Sequence, residues 1–130
     1  MTLDMSLLAG GDSRKYKNMK SLLCLFIGGS MFKNRYLTKG INLEVSLFVQ
    51  NLMWLMIDSM EVSKKDYLQV FTLERVDVCG KTFQKITHSQ EQPEYKNSMV
   101  VPVDEKEVFE GKVFVIDDVS HCTMLLAEEY

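Results

Sequence analysis

Hydrophobic and polar positions change their period several times along these 130 residues, and each change marks an element. Residues 32–39 (FKNRYLTK) stop at Gly40, which predicts a short strand ending in a turn. Residues 45–60 (VSLFVQNLMWLMIDSM) contain neither Pro nor Gly and predict a helix. On it, Phe48, Leu52, Leu55 and Ser59 share one face, with Val49, Met53, Met56 and Met60 adjacent. Asn51 and Asp58 are among its few polar positions, so most of the circumference is apolar. Such a helix must lie deep against a sheet or be shared with a partner. Its methionines and Trp54 suit an adaptable interface as the second reading.

Beyond the charged break at 61–66 the pattern turns to β. Residues 67–78 (YLQVFTLERVDV) are apolar on both faces at first, then open to solvent near Glu74 and Arg75. Cys79-Gly80-Lys81 supplies a turn, and the mostly polar run 82–90 predicts a partly exposed strand. Pro93 breaks the pattern and predicts a loop over 90–95. Residues 98–103 suit a short edge strand ending near Pro102, followed by a solvated turn from Asp104 to Gly111. Residues 112–117 (KVFVID) and 123–127 (TMLLA) complete the strands. One early helix followed by a run of strands predicts an α+β domain, with the helix across a curved, mostly antiparallel sheet of about five strands.

Composition narrows the class. At 46% hydrophobic and 25% charged the chain is ordinary globular material, not a disordered segment. Its net charge of −3 argues against a dedicated nucleic-acid binder. A basic patch would need Lys33, Arg35, Lys39, Lys64, Lys65 and Lys81 to converge. No apolar run approaches the roughly 18 residues that span a bilayer. Three cysteines, Cys24, Cys79 and Cys122, form no C-x-x-C pair. A Cys79–Cys122 bridge is formally open, but sparse reduced thiols fit a cytoplasmic protein better.

Residues 1–30 differ from the rest. They hold Arg14, Lys15, Lys17 and Lys20 against Asp4 and Asp12, four of the seven glycines, and no amphipathic period. The run from Leu22 to Ile27 is too short for a secretory h-region, and no cleavage site follows. Gly28-Gly29-Ser30 before Met31 reads as an engineered linker, as untranslated sequence upstream of a start at Met31, or as part of an arm docking on the domain. The upstream reading is preferred, with residues 31–130 as a single domain.

Motifs that carry chemistry are few. There is no Gly-rich phosphate loop, no H-E-x-x-H, no G-x-S-x-G and no paired-Cys zinc signature. His88 and His121 are the two imidazoles, and with Asp117 or Asp118 they could bind a metal only if their strands pair. Asp117-Asp118 reads more simply as a turn closing a strand. The acidic run Asp104, Glu105, Glu107 and Glu110 reads as a solvated face. No catalytic, cofactor or metal residue is assigned.

Several segments together resemble a known family. They are MFKNRYLTKGIN from Met31, Gln50 with Trp54-Leu55-Met56-Ile57-Asp58, DYLQVF from Asp66, HSQEQPEY from His88 and the closing TMLLAEEY from Thr123. This chain resembles the bacterial domain of unknown function numbered 960, found in Gram-positive bacteria and their mobile elements. The resemblance covers 31–130 and implies a small α+β domain, with the cystatin and nuclear-transport-factor-like folds as the model arrangement. It implies no activity, cofactor or catalytic residue.

Two functional expectations follow. The first is a non-enzymatic intracellular module, an accessory protein of a phage or mobile element, that binds an unidentified protein partner. Its surface is the exposed sheet face with Glu91, Gln92, Glu94 and Tyr95 around Pro93. The alternative is a small-molecule binder or enzyme with a pocket between helix and sheet, lined by Trp54, Tyr67, Phe71, His88 and His121. Neither a membrane nor a nucleic acid is expected as partner, and homodimerisation suits both readings.

Overall fold

A computed structural model describes residues 2–4 and 31–130. The expectations on the basic segment and the linker-like glycines fall on residues outside these. The described elements are strands β1 (Thr2–Asp4) and β2 (Arg35–Thr38), helices α1 (Lys39–Glu44) and α2 (Leu47–Asp58), then strands β3 (Leu68–Val78), β4 (Lys81–Gln90), β5 (Tyr95–Pro102), β6 (Gly111–Asp117) and β7 (Cys122–Leu126). A 3-10 turn, Ala127–Glu129, closes the chain. The fold is α+β, with one open sheet in the order β1-β2-β7-β6-β3-β4-β5. Only β2 and β7 run parallel; every other described pair is antiparallel.

Six strands lie between residues 31 and 130, not about five, and Thr2–Asp4 adds another beside β2. The short edge strand expected at 98–103 is longer and lies at Tyr95–Pro102. Every residue from Tyr95 to Pro102 pairs with β4, so the segment is a full edge strand that starts immediately after the turn. The β3–β4 connection is a two-residue turn with Cys79 and Gly80 at φ 52° and 75°, the backbone that a tight antiparallel hairpin requires.

Register puts Leu37, Met124, Val113, Val115, Phe71, Leu73 and Ile86 on one face of the sheet, and all are buried. From α2, Val49, Met53, Trp54, Met56 and Ile57 join them in a continuous core with Phe32, Ile41 and Val45. The stripe Phe48, Leu52, Leu55 and Ser59 is therefore the outward one: Phe48 and Leu55 are 49% and 42% exposed. Periodicity cannot choose between two apolar faces, whereas packing buries the one adjacent to it. Ser46 caps α2, its hydroxyl accepting from the Val49 N–H at 3.3 Å, so the helix starts later than its apolar pattern.

Residues 39–44 form a second helix where a turn at Gly40 was expected. Thr38 caps it, accepting from the Ile41 N–H at 3.3 Å. The chain's C-terminal turn also locks onto this point. Glu129 accepts from the Thr38 hydroxyl at 2.7 Å and from the Leu126 N–H at 2.8 Å, and its carboxylate rests against Gly40. A Cβ at Gly40 would stand 2.7 Å from Glu129 Oε2, so the glycine serves close approach.

Arg35 is buried, not part of a basic surface. It pairs with Asp58 at the end of α2, donates to the Phe32 carbonyl at 3.0 Å, and lies 4.6 Å from the Trp54 ring centre. This ties the start of β2 to the last turn of α2. A buried pair of this kind fixes geometry more than it adds net stability.

The Glu129 contact makes a testable sign change. Gly40→Ala gains up to about 1 kcal/mol of helix propensity but displaces a carboxylate whose two hydrogen bonds contribute about 1–3 kcal/mol each. Urea denaturation is expected to show Gly40→Ala destabilising the native chain by about 1 kcal/mol, yet stabilising a Glu129→Ala background. Destabilisation in both backgrounds would contradict the close-approach account.

Candidate interaction surfaces

The inner face does not stay apolar across the whole sheet. On β4 the inward positions are Gln84, Ile86, His88 and Gln90, all buried, where a partly exposed polar strand was expected. These side chains meet loops. Gln84 is clamped to Phe109: its Oε1 accepts from the Phe109 N–H at 2.8 Å and its Nε2 donates to the Phe109 carbonyl at 2.9 Å. Gln90 accepts from the Asp66 N–H and from Gln69 Nε2, both at 2.8 Å, and donates to the Pro93 carbonyl at 2.8 Å and the Lys64 carbonyl at 3.2 Å. Each carboxamide supplies both the donor and the acceptor that a folded-over loop lacks.

The same network holds the turn between β4 and β5. Glu91, Gln92, Pro93 and Glu94 are exposed, and the Gln92–Pro93 bond is cis. Gln90 fastens the Pro93 carbonyl, while Asp66 Oδ2 accepts from the Gln92 N–H at 3.2 Å. Three of the four residues expected on a recognition loop, Glu91, Gln92 and Glu94, thus project from a fastened turn. Tyr95 is half-buried instead, its ring edge-on to His88 at 5.4 Å.

His88 is fully buried and stacked on Phe71 with ring centres 4.4 Å apart. Gln69 uses its Nε2 to donate to Asp66 and Gln90, so its Oε1 is the atom 2.6 Å from His88 Nε2. The imidazole therefore carries its proton on Nε2, and Nδ1 is a buried acceptor without a partner. Burial, with a smaller contribution from the charge of Lys65, pushes the His88 pKa down to about 4.

The pocket expected from Trp54, Tyr67, Phe71, His88 and His121 is not assembled. Trp54, Phe71 and His88 are 1%, 0% and 0% exposed, packed as core. Tyr67 is 58% exposed, and His121 lies just before β7, three strand positions from β4, beside Tyr36 at 5.5 Å with Nδ1 3.0 Å from the Ser120 hydroxyl. The intervening β3 and β6 keep His88 and His121 apart, which also prevents a shared metal site with Asp117 or Asp118. Among the described residues no group of three His, Cys, Asp or Glu could hold a metal ion. Cys79 is an exposed free thiol, and Cys122 is buried.

Sequence reasoning offered the helix as a second-choice interface through its methionines and Trp54, whereas Met53, Trp54 and Met56 are buried and other residues face out. Leu43, Leu47, Phe48 and Leu55 are 70%, 44%, 49% and 42% exposed. Leu43 and Leu47 flank a cleft of about 270 Å³ at the elbow between α1 and α2, opposite Lys106 and Glu107. Phe48 and Leu55, two turns apart with half-buried Leu52 between them, continue the apolar line along α2. The other face of the sheet carries half-buried Leu68, Val70, Phe114, Ile116 and Leu125. Among the described residues no helix is long and apolar enough to cross a membrane.

This geometry defines a helix-and-open-sheet α+β protein with fastened loops and unsheltered apolar surface. The chain belongs to the family described as staphylococcal protein of unknown function (DUF960), which it matches over residues 34–129. It is also similar in structure to a protein of unknown function from Enterococcus faecalis, with 24% identity and a TM-score of 0.60 over 74% of this chain and 89% of that one. That likeness concerns the fold. No curated protein matches the chain.

The buried imidazole predicts an acid-sensitive fold. An unfolded histidine titrates near 6.5, whereas folded His88 stays neutral down to about 4. Its contribution is fully present above pH 6.5 and is lost as pH falls from 6.5 toward 4, by up to about 3 kcal/mol. The difference in unfolding free energy between the native chain and His88→Phe is expected to shift by that order across this window. A difference that stays constant from pH 7 to pH 4 would contradict the assignment.

Proposed function

We propose that this protein is a non-enzymatic, intracellular protein-binding module that engages its partner through the outward apolar side of its helices. The observation that carries the reading is the line of Leu43, Leu47, Phe48 and Leu55, each at least 42% exposed. Contiguous exposed apolar residues on a folded protein mark a contact surface more often than they mark wasted hydrophobicity. Among the described residues, His88 is held neutral in the core and Arg35 is paired with Asp58, so neither competes as a site. The exposed Cys79 thiol accords with a reducing compartment.

In this reading the helix lies across one face of a curved sheet, as in cystatin-like folds. The fastened turn at Glu91, Gln92 and Glu94 is a second contact region. Its backbone is already tied by Gln90 and Asp66, so little conformational entropy is lost when it meets a partner.

Affinity capture from host lysate with the tagged full chain tests both regions at once. A specific protein is expected to be retained, to fall at least about tenfold with Phe48→Glu or Leu55→Glu, and to weaken less with Glu94→Lys. Loss with Glu94→Lys alone would move the surface to the turn. Retention of a second copy of this chain would identify a homodimer, and nothing above background would reject the module.

A further inference from the structure

Four glutamines are buried in this protein, and three of them have both ends of the carboxamide engaged. Gln69 Oε1 meets His88, Gln84 Oε1 meets the Phe109 N–H, and Gln90 Oε1 meets the Asp66 N–H. Gln50 differs. It is 3% exposed, and its Nε2 donates to the Val45 carbonyl at 2.8 Å, which fixes the amide orientation; its Oε1 has no partner. An unmatched buried acceptor costs about 1–3 kcal/mol, so its persistence calls for an explanation. Gln50 is also the buried glutamine that lines the cleft between α1 and α2.

Complementary groups stand beside it. Ser46 satisfies the Val49 and Gln50 N–H groups through its hydroxyl and carbonyl, leaving those of Leu47 and Phe48 without a protein acceptor. Both lie on the first turn of a twelve-residue helix. Leu43 and Leu47 give the cleft an apolar rim, while Glu44 and Glu107 outnumber Lys106, so the side chains do not favour an anion. The occupant therefore needs an N–H for Gln50, a carbonyl for the helix N-terminus, an apolar side chain and no negative charge.

An extended peptide residue has these features together, because its N–H and C=O point to the same side and its side chain stands across them. We propose that the cleft between α1 and α2 receives one apolar residue of an extended partner segment, its N–H on Gln50 Oε1 and its C=O at the Leu47 and Phe48 N–H groups. A basic neighbour in that segment meets Glu44 and Glu107. The cleft's roughly 270 Å³ is slightly below the about 300–1,000 Å³ of sites that enclose drug-sized ligands, and suits one residue of a longer chain lying over it. The inference rests on the protein-binding reading and specifies the chemistry of the partner.

The test is a two-dimensional amide NMR titration of the full chain with acetyl-Ala-Lys-Leu-Lys-Ala-amide. Its companion is the depsipeptide in which an ester oxygen replaces the leucine N–H. Shifts are expected at Leu43, Leu47, Phe48 and the Gln50 side-chain amide, with the ester at least about tenfold weaker. The surface variant Leu43→Asp, which leaves the core untouched, is expected to weaken the amide peptide similarly. No shifts at about 5 mM peptide, or equal binding of ester and amide, would overturn the proposal. A lysate partner released by Leu55→Glu alongside either of those results would leave the binding-module reading standing and reject the cleft as its peptide site.

Discussion

The sheet is wider than the helix that covers it, and much of the structure follows from that mismatch. Six strands spaced by about 4.8 Å span about 24 Å, whereas a helix is only about 10 Å across. The core on α2 reaches from Leu37 on β2 to Ile86 on β4. Beyond it, the inner face must be closed by the segments before β3 and before β6. Loop backbone that is buried needs partners, and β4 provides them with Gln84 and Gln90 instead of more aliphatic residues. Each such bond adds a modest net amount of about 1 kcal/mol, but breaking one leaves a buried amide open, which costs more. The loops are thereby held in one arrangement.

The fastened turn at 91–94 follows from the same arrangement. Gln90 serves the loop before β3 and the turn after β4 with a single carboxamide, and Gln69 links it to His88. The imidazole is accordingly part of a structural polar network, not a reactive group. Its depressed pKa is the consequence of being packed between Phe71 and Tyr95 where protonation has no compensating partner. Among the buried glutamines Gln50 is the exception, and it lies where the helices leave a cleft.

The strands were legible because β-branched and aromatic runs separated by Gly, Pro and charged breaks leave little choice of element. Residues 67–78, for example, match β3 to within one position. The faces were less legible. An alternation of Gln84, Ile86, His88 and Gln90 against Lys85, Thr87 and Ser89 reads as a solvated strand if every polar residue is assumed to face water. The signal was in the residue types: amides and imidazole, which can satisfy backbone, were on one side, with lysine and hydroxyls on the other. On α2 the apolar circumference hid which stripe faces out. The Arg35–Asp58 pair joins positions 23 residues apart and could not be seen from spacing. Of the expected sites, the turn was legible from Pro93, whereas the pocket was not, because Trp54, Phe71 and His88 are large groups that fill the core themselves.

Hydrogen exchange at two loop amides tests most directly whether buried glutamines hold the uncovered part of the sheet. The N–H of Phe109 ends on Gln84 Oε1 and that of Asp66 on Gln90 Oε1, although neither residue lies in a strand or helix. The account predicts protection of both amides comparable to that of the β3–β4 ladder, lost at Phe109 in Gln84→Ala and at Asp66 in Gln90→Ala. Exchange of both amides at unstructured-chain rates in the native protein would contradict it.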